Sequence, residues 1–157
     1  MANHSVRRAH AGEAGALTDL IYRAKQSNGY DDVFMAACTD ELRVTEEDIA
    51  RDGIWVSGDT SLLGCATLTA LAEHGIGEVS AFFIDPNHHR RGIGRALWEH
   101  LYHAAHAHGW ARLRLDADPA AVPFYETLGF VIIGTNPSGS IPGRVLPMME
   151  YDLTKGL

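Results

Sequence analysis

The run Glu78-Val79-Ser80-Ala81-Phe82-Phe83-Ile84-Asp85-Pro86-Asn87-His88-His89-Arg90-Arg91-Gly92-Ile93-Gly94-Arg95 constrains the fold of this chain more than any other. Its first part, Glu78–Ile84, is rich in β-branched and aromatic residues and reads as a strand, which Pro86 cannot continue. Apolar residues at Ile93, Leu97, Leu101, Ala104 and Ala105 then trace the stripe of a long helix, with Gly109 placed to end it. Strand, basic glycine-bearing turn and helix thus follow one another directly. N–H groups at a helix start attract anions, Gly92 and Gly94 let a ligand approach the backbone, and Arg90, Arg91 and Arg95 add charge. The turn therefore has the make-up of a pyrophosphate cradle, although a tight turn without a ligand would use the same glycines. Two other phosphate motifs are excluded. A dinucleotide GxGxxG beginning at Gly92 would need glycine where Leu97 stands, and there is no GxxxxGK.

The remaining elements alternate around this centre without repeats or low-complexity tracts, so 1–157 reads as a single domain. Val6–Ala9 opens as a short strand, and Ala14, Leu17, Leu20, Ile21 and Ala24 recur at helical spacing up to Ser27-Asn28-Gly29. Tyr30–Cys38 reads as a loop or short helix, and Thr45 with Asp48 has the form of a capping box opening a second helix. Ile54–Val56, Leu62–Leu71 and Glu78–Ile84 form a three-stranded meander. After the long helix come a strand at Trp110–Leu115, a short helix at Pro119–Leu128 closed by Gly129, and strands at Phe130–Gly134 and Leu146–Leu153.

Composition narrows the function classes. A chain of 157 residues hides roughly 70% of its unfolded surface on folding, so no disulfide or metal staple is required. Cys38 and Cys65 stand alone with no CxxC pair, which fits a reducing compartment and a cytoplasmic setting. Net charge is −7 with only two lysines, Lys25 and Lys155, against the clustered cations that a nucleic-acid partner requires. Nowhere do about 18 apolar residues stand together, and Met1–Arg8 is not followed by an apolar run, so neither a membrane span nor a signal peptide is expected.

With the competing phosphate motifs removed, His89-Arg90-Arg91-Gly92-Ile93-Gly94 resembles the acetyl-CoA motif of the GNAT superfamily of N-acetyltransferases, Gln/Arg-x-x-Gly-x-Gly/Ala after a hydrophobic strand. His89 departs from the pattern at its first position, where one side-chain contact is at stake. Asp118-Pro119-Ala120-Ala121-Val122-Pro123-Phe124-Tyr125-Glu126-Thr127-Leu128-Gly129-Phe130 is similar to that family's second signature, Asn-x-x-Ala-x-x-Phe-Tyr-Glu-x-x-Gly-Phe, with Asp118 in place of Asn. The resemblance implies an α+β fold with a mixed, mostly antiparallel sheet of about seven strands flanked by about four helices. It further implies acetyl-CoA as donor, bound by Phe82, Phe83 and Ile84 of the strand, by His89 through Arg95 of the turn, and by Asp118 and Tyr125. A homodimer is also common in the resembling family.

Acetyl transfer from a thioester to an amine requires a neutral nucleophile, stabilisation of the oxyanion and a proton for the departing thiolate. By the resemblance, a bulge in the central strand frees N–H groups near Phe82 and Ile84 for the carbonyl, and Tyr125 protonates the thiolate. A core aromatic flanked by Phe124 and Phe130 is the plainer reading of Tyr125. Glu78, fourteen residues before Gly92, stands in the register of the catalytic glutamate of the family's histone-acetylating branch and is the candidate base; a strand-edge glutamate is also often merely solvated. Tyr30, Asp31 and Phe34, together with the Ser138–Arg144 loop, are candidates for binding a small-molecule amine acceptor, with Asp31 and Asp32 equally suited to a turn after Gly29. His100, His103 and His106 drift around the long helix and read as a polar outer face, so no metal is expected. Transfer to a protein N-terminus, and acyl-CoA binding without turnover, are the alternative readings.

Overall fold

The computed structural model describes residues 5–155. Residues 1–4, the start of the charged N-terminal stretch, and residues 156 and 157 lie outside the described residues. Strand β1 (Val6–Arg8) leads through a 3-10 turn into helix α1 (Ala14–Gln26), whose predicted stripe is buried at Leu17, Leu20, Ile21 and Ala24. Helix α2 (Asp32–Leu42) is longer than the loop or short helix expected there. The Asp31 carboxylate fixes its start by accepting the Phe34 N–H at 2.8 Å, and only Met35 and Cys38 are buried along it, so its periodic signal is sparse. With it the described residues hold five helices, against the about four expected. Helix α3 (Glu46–Arg51) carries the expected capping box, Thr45 and Asp48 each satisfying the other's N–H.

The meander is observed as β2 (Gly53–Ser57), β3 (Gly64–Ala70) and β4 (Ile76–Ile84), followed by α4 (Ile93–Ala107), β5 (Arg112–Asp116), α5 (Val122–Leu128), β6 (Val131–Pro137) and β7 (Val145–Asp152). The seven strands lie in the order β1-β2-β3-β4-β5-β7-β6, and every pairing is antiparallel except β4 with β5. Alternation along the strands builds a core on each face. Cys65 joins Leu17, Leu20, Ile21, Ile54, Val56 and Leu62 beneath α1, whereas Ala66 joins Ile93, Leu97, Trp98, Leu101, Leu113 and Leu115 beneath α4. Truncating a fully buried leucine such as Leu97 to alanine would cost about 2–5 kcal/mol.

One irregularity creates the site. Thr67 faces Ala81 but Leu68 faces Val79, so Ser80 is an additional residue in β4, a β-bulge. The ladder between β4 and β5 stops at Glu78 and Arg114, although β4 continues to Ile84 and β5 to Asp116. Beyond that point the sheet is split between two parallel strands, and among the described residues β4 from Val79 onward has no strand partner on its β5 side.

Candidate active site

The split opens into a cleft of about 1430 Å³. That exceeds the 300–1,000 Å³ typical of a small-ligand site and suits a ligand with a long arm. Its walls include β4 from Glu78 to Ile84, the turn residues His89, Arg90 and Gly92, the start of α4 through Arg95, and Asp116, Asp118 and Tyr125 from the other side of the split. The two motifs singled out in the sequence therefore meet at one opening.

Main-chain geometry dominates the turn. Gly92 caps α4 with φ +82°, a left-handed conformation open to glycine, and Arg90 holds φ +63°. Gly92 has no side chain with which to cap α4, so among the described residues no side-chain cap occupies the helix start and its first-turn N–H groups stay available. A Cβ on Gly94 would lie 3.0 Å from Phe124 Cζ and 3.2 Å from Cε1, so glycine there admits the close approach of α5. Ile93 is buried in the core and offers the cleft its backbone only. His89, Arg90 and Arg95 are exposed along the wall, while Arg91 is exposed and outside it. The His89 ring nitrogen Nε2 lies 3.3 Å from the Ile84 carbonyl, folding this departure from the motif back onto β4. Beneath the turn, buried Asp85 accepts from the Asn87 N–H at 2.8 Å and from Arg23 Nε and Nη2 at 3.1 and 2.9 Å.

Phe82, Phe83 and Ile84 are half-buried along the cleft, Phe82 and Ile84 leaning toward the α4 core and Phe83 toward the α1 core. Tyr125 is buried, edge-on to Phe82 and Phe130, and it lines the cleft as well. Burial, with the Asp118 charge adding to it, pushes its phenol pKa up, so the hydroxyl keeps its proton at neutral pH. Glu78, at the fork of the split, is half-buried, and its pKa is raised by burial and by the charge of Asp116 further along β5. Asp116 is held by Asn136 Nδ2 at 2.9 Å.

Asp118 is the centre of a network the sequence did not announce. Its Oδ1 accepts the Ala120 N–H at 3.0 Å, and its Oδ2 accepts Lys25 Nζ at 3.0 Å and the Tyr30 hydroxyl at 2.7 Å. Arg144 Nη2 donates to the Tyr30 hydroxyl at 2.6 Å and stands 3.7 Å from Asp118 Oδ2. Tyr30 stacks on Phe34 with ring centres 4.0 Å apart, and the Arg144 guanidinium lies over both rings. Tyr30, Asp31 and Phe34 are not part of the cleft wall. Asp31 is spent on capping α2, and Tyr30 reaches the cleft only through Lys25, Asp118 and Arg144, which do line it.

Reasoning from sequence thus missed Lys25, Arg23, Asp85, Asp116 and the particular role of Arg144. The one available signal was Arg144, the sole cation of the loop predicted to meet the acceptor. His100 and His106 bond the carbonyls of Ala96 and Leu153 at 3.1 Å, and among the described residues no group of His, Cys, Asp and Glu is arranged to hold a metal ion. Burial pushes the Cys65 thiol up to about 12, leaving it unreactive. Trp98 fills the core, while Trp55 lies under Arg8 and Trp110 stacks on His108. Among the described residues no helix is long and apolar enough to cross a membrane.

Residues 24–149 match the model of the acetyltransferase (GNAT) domain. Among curated proteins, the chain is 44% identical over 50 residues to the ribosomal-protein-bS18 alanine N-acetyltransferase of Escherichia coli K12, covering 30% of this chain and 34% of that protein. It is 33% identical over 55 residues to the glucosamine 6-phosphate N-acetyltransferase of Trypanosoma brucei brucei, covering 35% and 37%. The chain thus spans about a third of the length of the curated relatives it matches. Two solved structures share the whole fold. The PaiA N-acetyltransferase of Thermoplasma acidophilum, solved with coenzyme A, superposes with a TM-score of 0.78 at 16% identity over 96% of this chain and 99% of the other. The E. coli ribosomal-protein-S18 alanine N-acetyltransferase gives 0.68 at 20% identity over 96% and 94%. Because the domain match extends over most of the chain and takes in the split sheet and both motifs, the chain belongs to the GNAT family of acetyl-CoA-dependent N-acetyltransferases.

Proposed function

We propose that this chain moves an acetyl group from acetyl-CoA to a primary amine of a small molecule, by direct attack in a ternary complex. The observation that carries the reading is the convergence, in one cleft, of an unpartnered β4 edge, an uncapped α4 start, a half-buried carboxylate and a protonated buried phenol. Acetyl-CoA supplies the activated acyl group. The N–H groups at Gly92, Ile93 and Gly94, with Arg90 and Arg95 beside them, are suited to its pyrophosphate, and the free edge of β4 at Phe82 and Ile84 to amides along its arm. Glu78 accepts a proton from the acceptor ammonium, directly or through one water, and its raised pKa brings it closer to that task at neutral pH. Tyr125 holds a proton beside the split, ready for a departing thiolate.

A second reading, acetylation of a protein N-terminus, draws support from the name of the E. coli relative. Release of CoA thiol from acetyl-CoA, followed across polyamines, aminoglycosides, amino acids and peptides with cofactor binding checked in the same samples, separates the two. Release with small amines supports the proposal, release with peptides alone supports the second reading, and binding without release would mean a non-catalytic acyl-CoA regulator. The same proposal has the enzyme in the cytoplasm as a homodimer. Free, buried Cys38 and Cys65 support the first part, and the exposed Val131, Ile132 and Ile133 of edge strand β6 support the second, which light scattering tests.

A further inference from the structure

Lys25 and Arg144 are cations in an unusual position. Their side chains keep only 12% and 19% of their exposure, both line the cleft, and they come from distant elements, the last turn of α1 and the residue preceding β7. Between them stands a single carboxylate, Asp118, itself 10% exposed. Other acidic groups of this wall are engaged elsewhere: Glu41 on α2 is exposed and accepts from the Ser140 hydroxyl, and exposed Asp116 accepts from Asn136 Nδ2. Within this cluster Lys25, Arg144 and Asp118 sum to one positive charge, on side chains that are mostly buried but open to the cleft.

Their donors are equally unbalanced. Lys25 Nζ places one of its three N–H groups on Asp118 Oδ2. Arg144 commits Nη2 to the Tyr30 hydroxyl and turns its guanidinium face to Tyr30 and Phe34, which leaves Nε and Nη1 with no hydrogen-bond acceptor among the described residues. Neither nitrogen is sealed from solvent, so both stand open to the cleft and can take an acceptor from a ligand without breaking a bond within the protein. The aromatic stack under the guanidinium and the Tyr30 hydroxyl at its edge also fix its plane, as recognition of a planar partner requires.

We propose that Lys25 and Arg144 form an anion subsite that receives a carboxylate carried by the amine acceptor, so that the preferred acceptors are amino acids rather than plain amines or polyamines. A carboxylate matches the single excess charge and the planar fork, whereas a phosphate monoester, at about −1.5 to −2, overshoots it. The subsite deepens the reading under Proposed function and rests on it for the word acceptor. It is separate from the pyrophosphate turn, which has Arg90 and Arg95 of its own.

Two measurements test it. The first is turnover, by CoA-thiol release, on the common amino acids, their carboxamides, the corresponding decarboxylated amines and glucosamine 6-phosphate. The best amino acid should exceed its carboxamide in kcat/KM by at least about tenfold, the low end for one charge-assisted hydrogen bond, and Arg144→Gln and Lys25→Gln should each shrink that ratio. Carboxamides or decarboxylated amines used as well as the acids, a ratio unchanged in both variants, or a preference for the sugar phosphate would each overturn the subsite while leaving acetyl transfer standing. The second is binding alone. N-acetyl amino acids and their methyl esters are titrated into protein saturated with CoA and read as a shift in Tm. A shift with the acids that the esters lack, and that Arg144→Gln abolishes, supports the subsite even if no amine is turned over, in which case the transferase reading fails by itself. No shift with any acid refutes the subsite. Acetyl-CoA affinity of Arg144→Gln is the control: a loss matching the loss of acid binding would assign the cations to the donor instead and overturn the proposal.

Discussion

Replacing Asp118 by asparagine, the residue the GNAT motif usually carries at this position, should damage this particular protein. The substitution is isosteric, so packing is not at issue. With the amide nitrogen in place of Oδ2, an N–H₂ group would face the Lys25 ammonium at 3.0 Å and the Tyr30 hydroxyl at 2.7 Å; flipped, it would face the Ala120 N–H at 3.0 Å. Either orientation loses an acceptor, and both leave Lys25 and Arg144 without a counter-charge. Removing one partner of a buried pair costs about 3–5 kcal/mol, and access of water through the cleft lowers this to roughly 2–3 kcal/mol. For a domain of this size that is a fall in Tm of about 4–12 °C, measured by calorimetry at pH 7. The pH dependence has a definite sign. The donors hold the Asp118 carboxyl below the usual carboxylate range despite its burial, so its contribution is complete above that range and is lost as pH falls through the depressed value. Asp118→Asn should flatten that part of the profile. Lys25→Met removes the orphaned ammonium, so the double variant should recover at least about 1 kcal/mol relative to additivity. A Tm for Asp118→Asn within about 1 °C of wild type, or additive behaviour of the pair, would show that solvent screens the network and that the argument from burial fails.

Other outcomes follow from the same geometry. Glu78→Gln should lower kcat/KM by at least about tenfold and abolish an acidic limb that in the wild type lies above the ordinary carboxylate range, because burial and Asp116 raise Glu78; a loss of under about threefold would reject a base role. Tyr125→Phe keeps the ring among Phe82, Phe124 and Phe130, so Tm should hold while kcat falls roughly 10- to 100-fold, and turnover equal to wild type at every pH would rule out proton donation. The fork of Arg7 on Glu13, at 2.8 Å for both bonds, holds that carboxyl at about 2, and its stabilisation is present above the unfolded value and lost as pH falls from about 5 to 2. Allowing for solvent around the partly exposed Arg7, Glu13→Gln should cost about 1 kcal/mol in urea unfolding at pH 7 and almost nothing at pH 2.

What the sequence made legible was what periodicity and punctuation encode. The α4 stripe, the β2–β4 meander, the Thr45 cap and the turn at Gly92 all appear where the pattern put them, because each is set by neighbours within a few residues. Helix α2 was underread because it buries only Met35 and Cys38 and depends on a cap, Asp31, that looks identical to a turn residue. The network around Asp118 was out of reach for a different reason. Its members lie 88 to 114 residues apart along the chain where they bond, as Tyr30 does with Asp118 and Arg144, and an isolated lysine or arginine carries no periodic mark of its partner. Glu78 could be placed by register alone, but its electrostatic state depends on Asp116, two residues past its partner Arg114 on β5, which only the parallel pairing of β4 with β5 brings near.

That pairing also raises the question of what holds the split open at a fixed width, since two strands that cease to share hydrogen bonds have nothing else between them. The last turn of α1 answers it. Arg23 and Lys25, two residues apart, leave the helix on opposite sides: Arg23 grips Asp85 just past the end of β4, and Lys25 grips Asp118 just past the end of β5. One rigid helix end thus spans both lips, and the phosphate turn hangs from one of them through the Asn87 N–H on Asp85. Arg23 is 42% exposed, so as a stabilising ion pair it is worth no more than about 1 kcal/mol, and Arg23→Gln should lower Tm by no more than about 4 °C. Its effect on the turn should be larger than that suggests, because the Asp85 carboxylate also accepts the turn's Asn87 N–H, and a carboxylate free to reorient no longer fixes it. Acetyl-CoA affinity should therefore fall about three- to tenfold in Arg23→Gln, beyond what one exposed ion pair contributes to stability. Unchanged affinity alongside the small drop in Tm would show that Arg23 is a surface ion pair and that the bulge at Ser80 alone sets the opening.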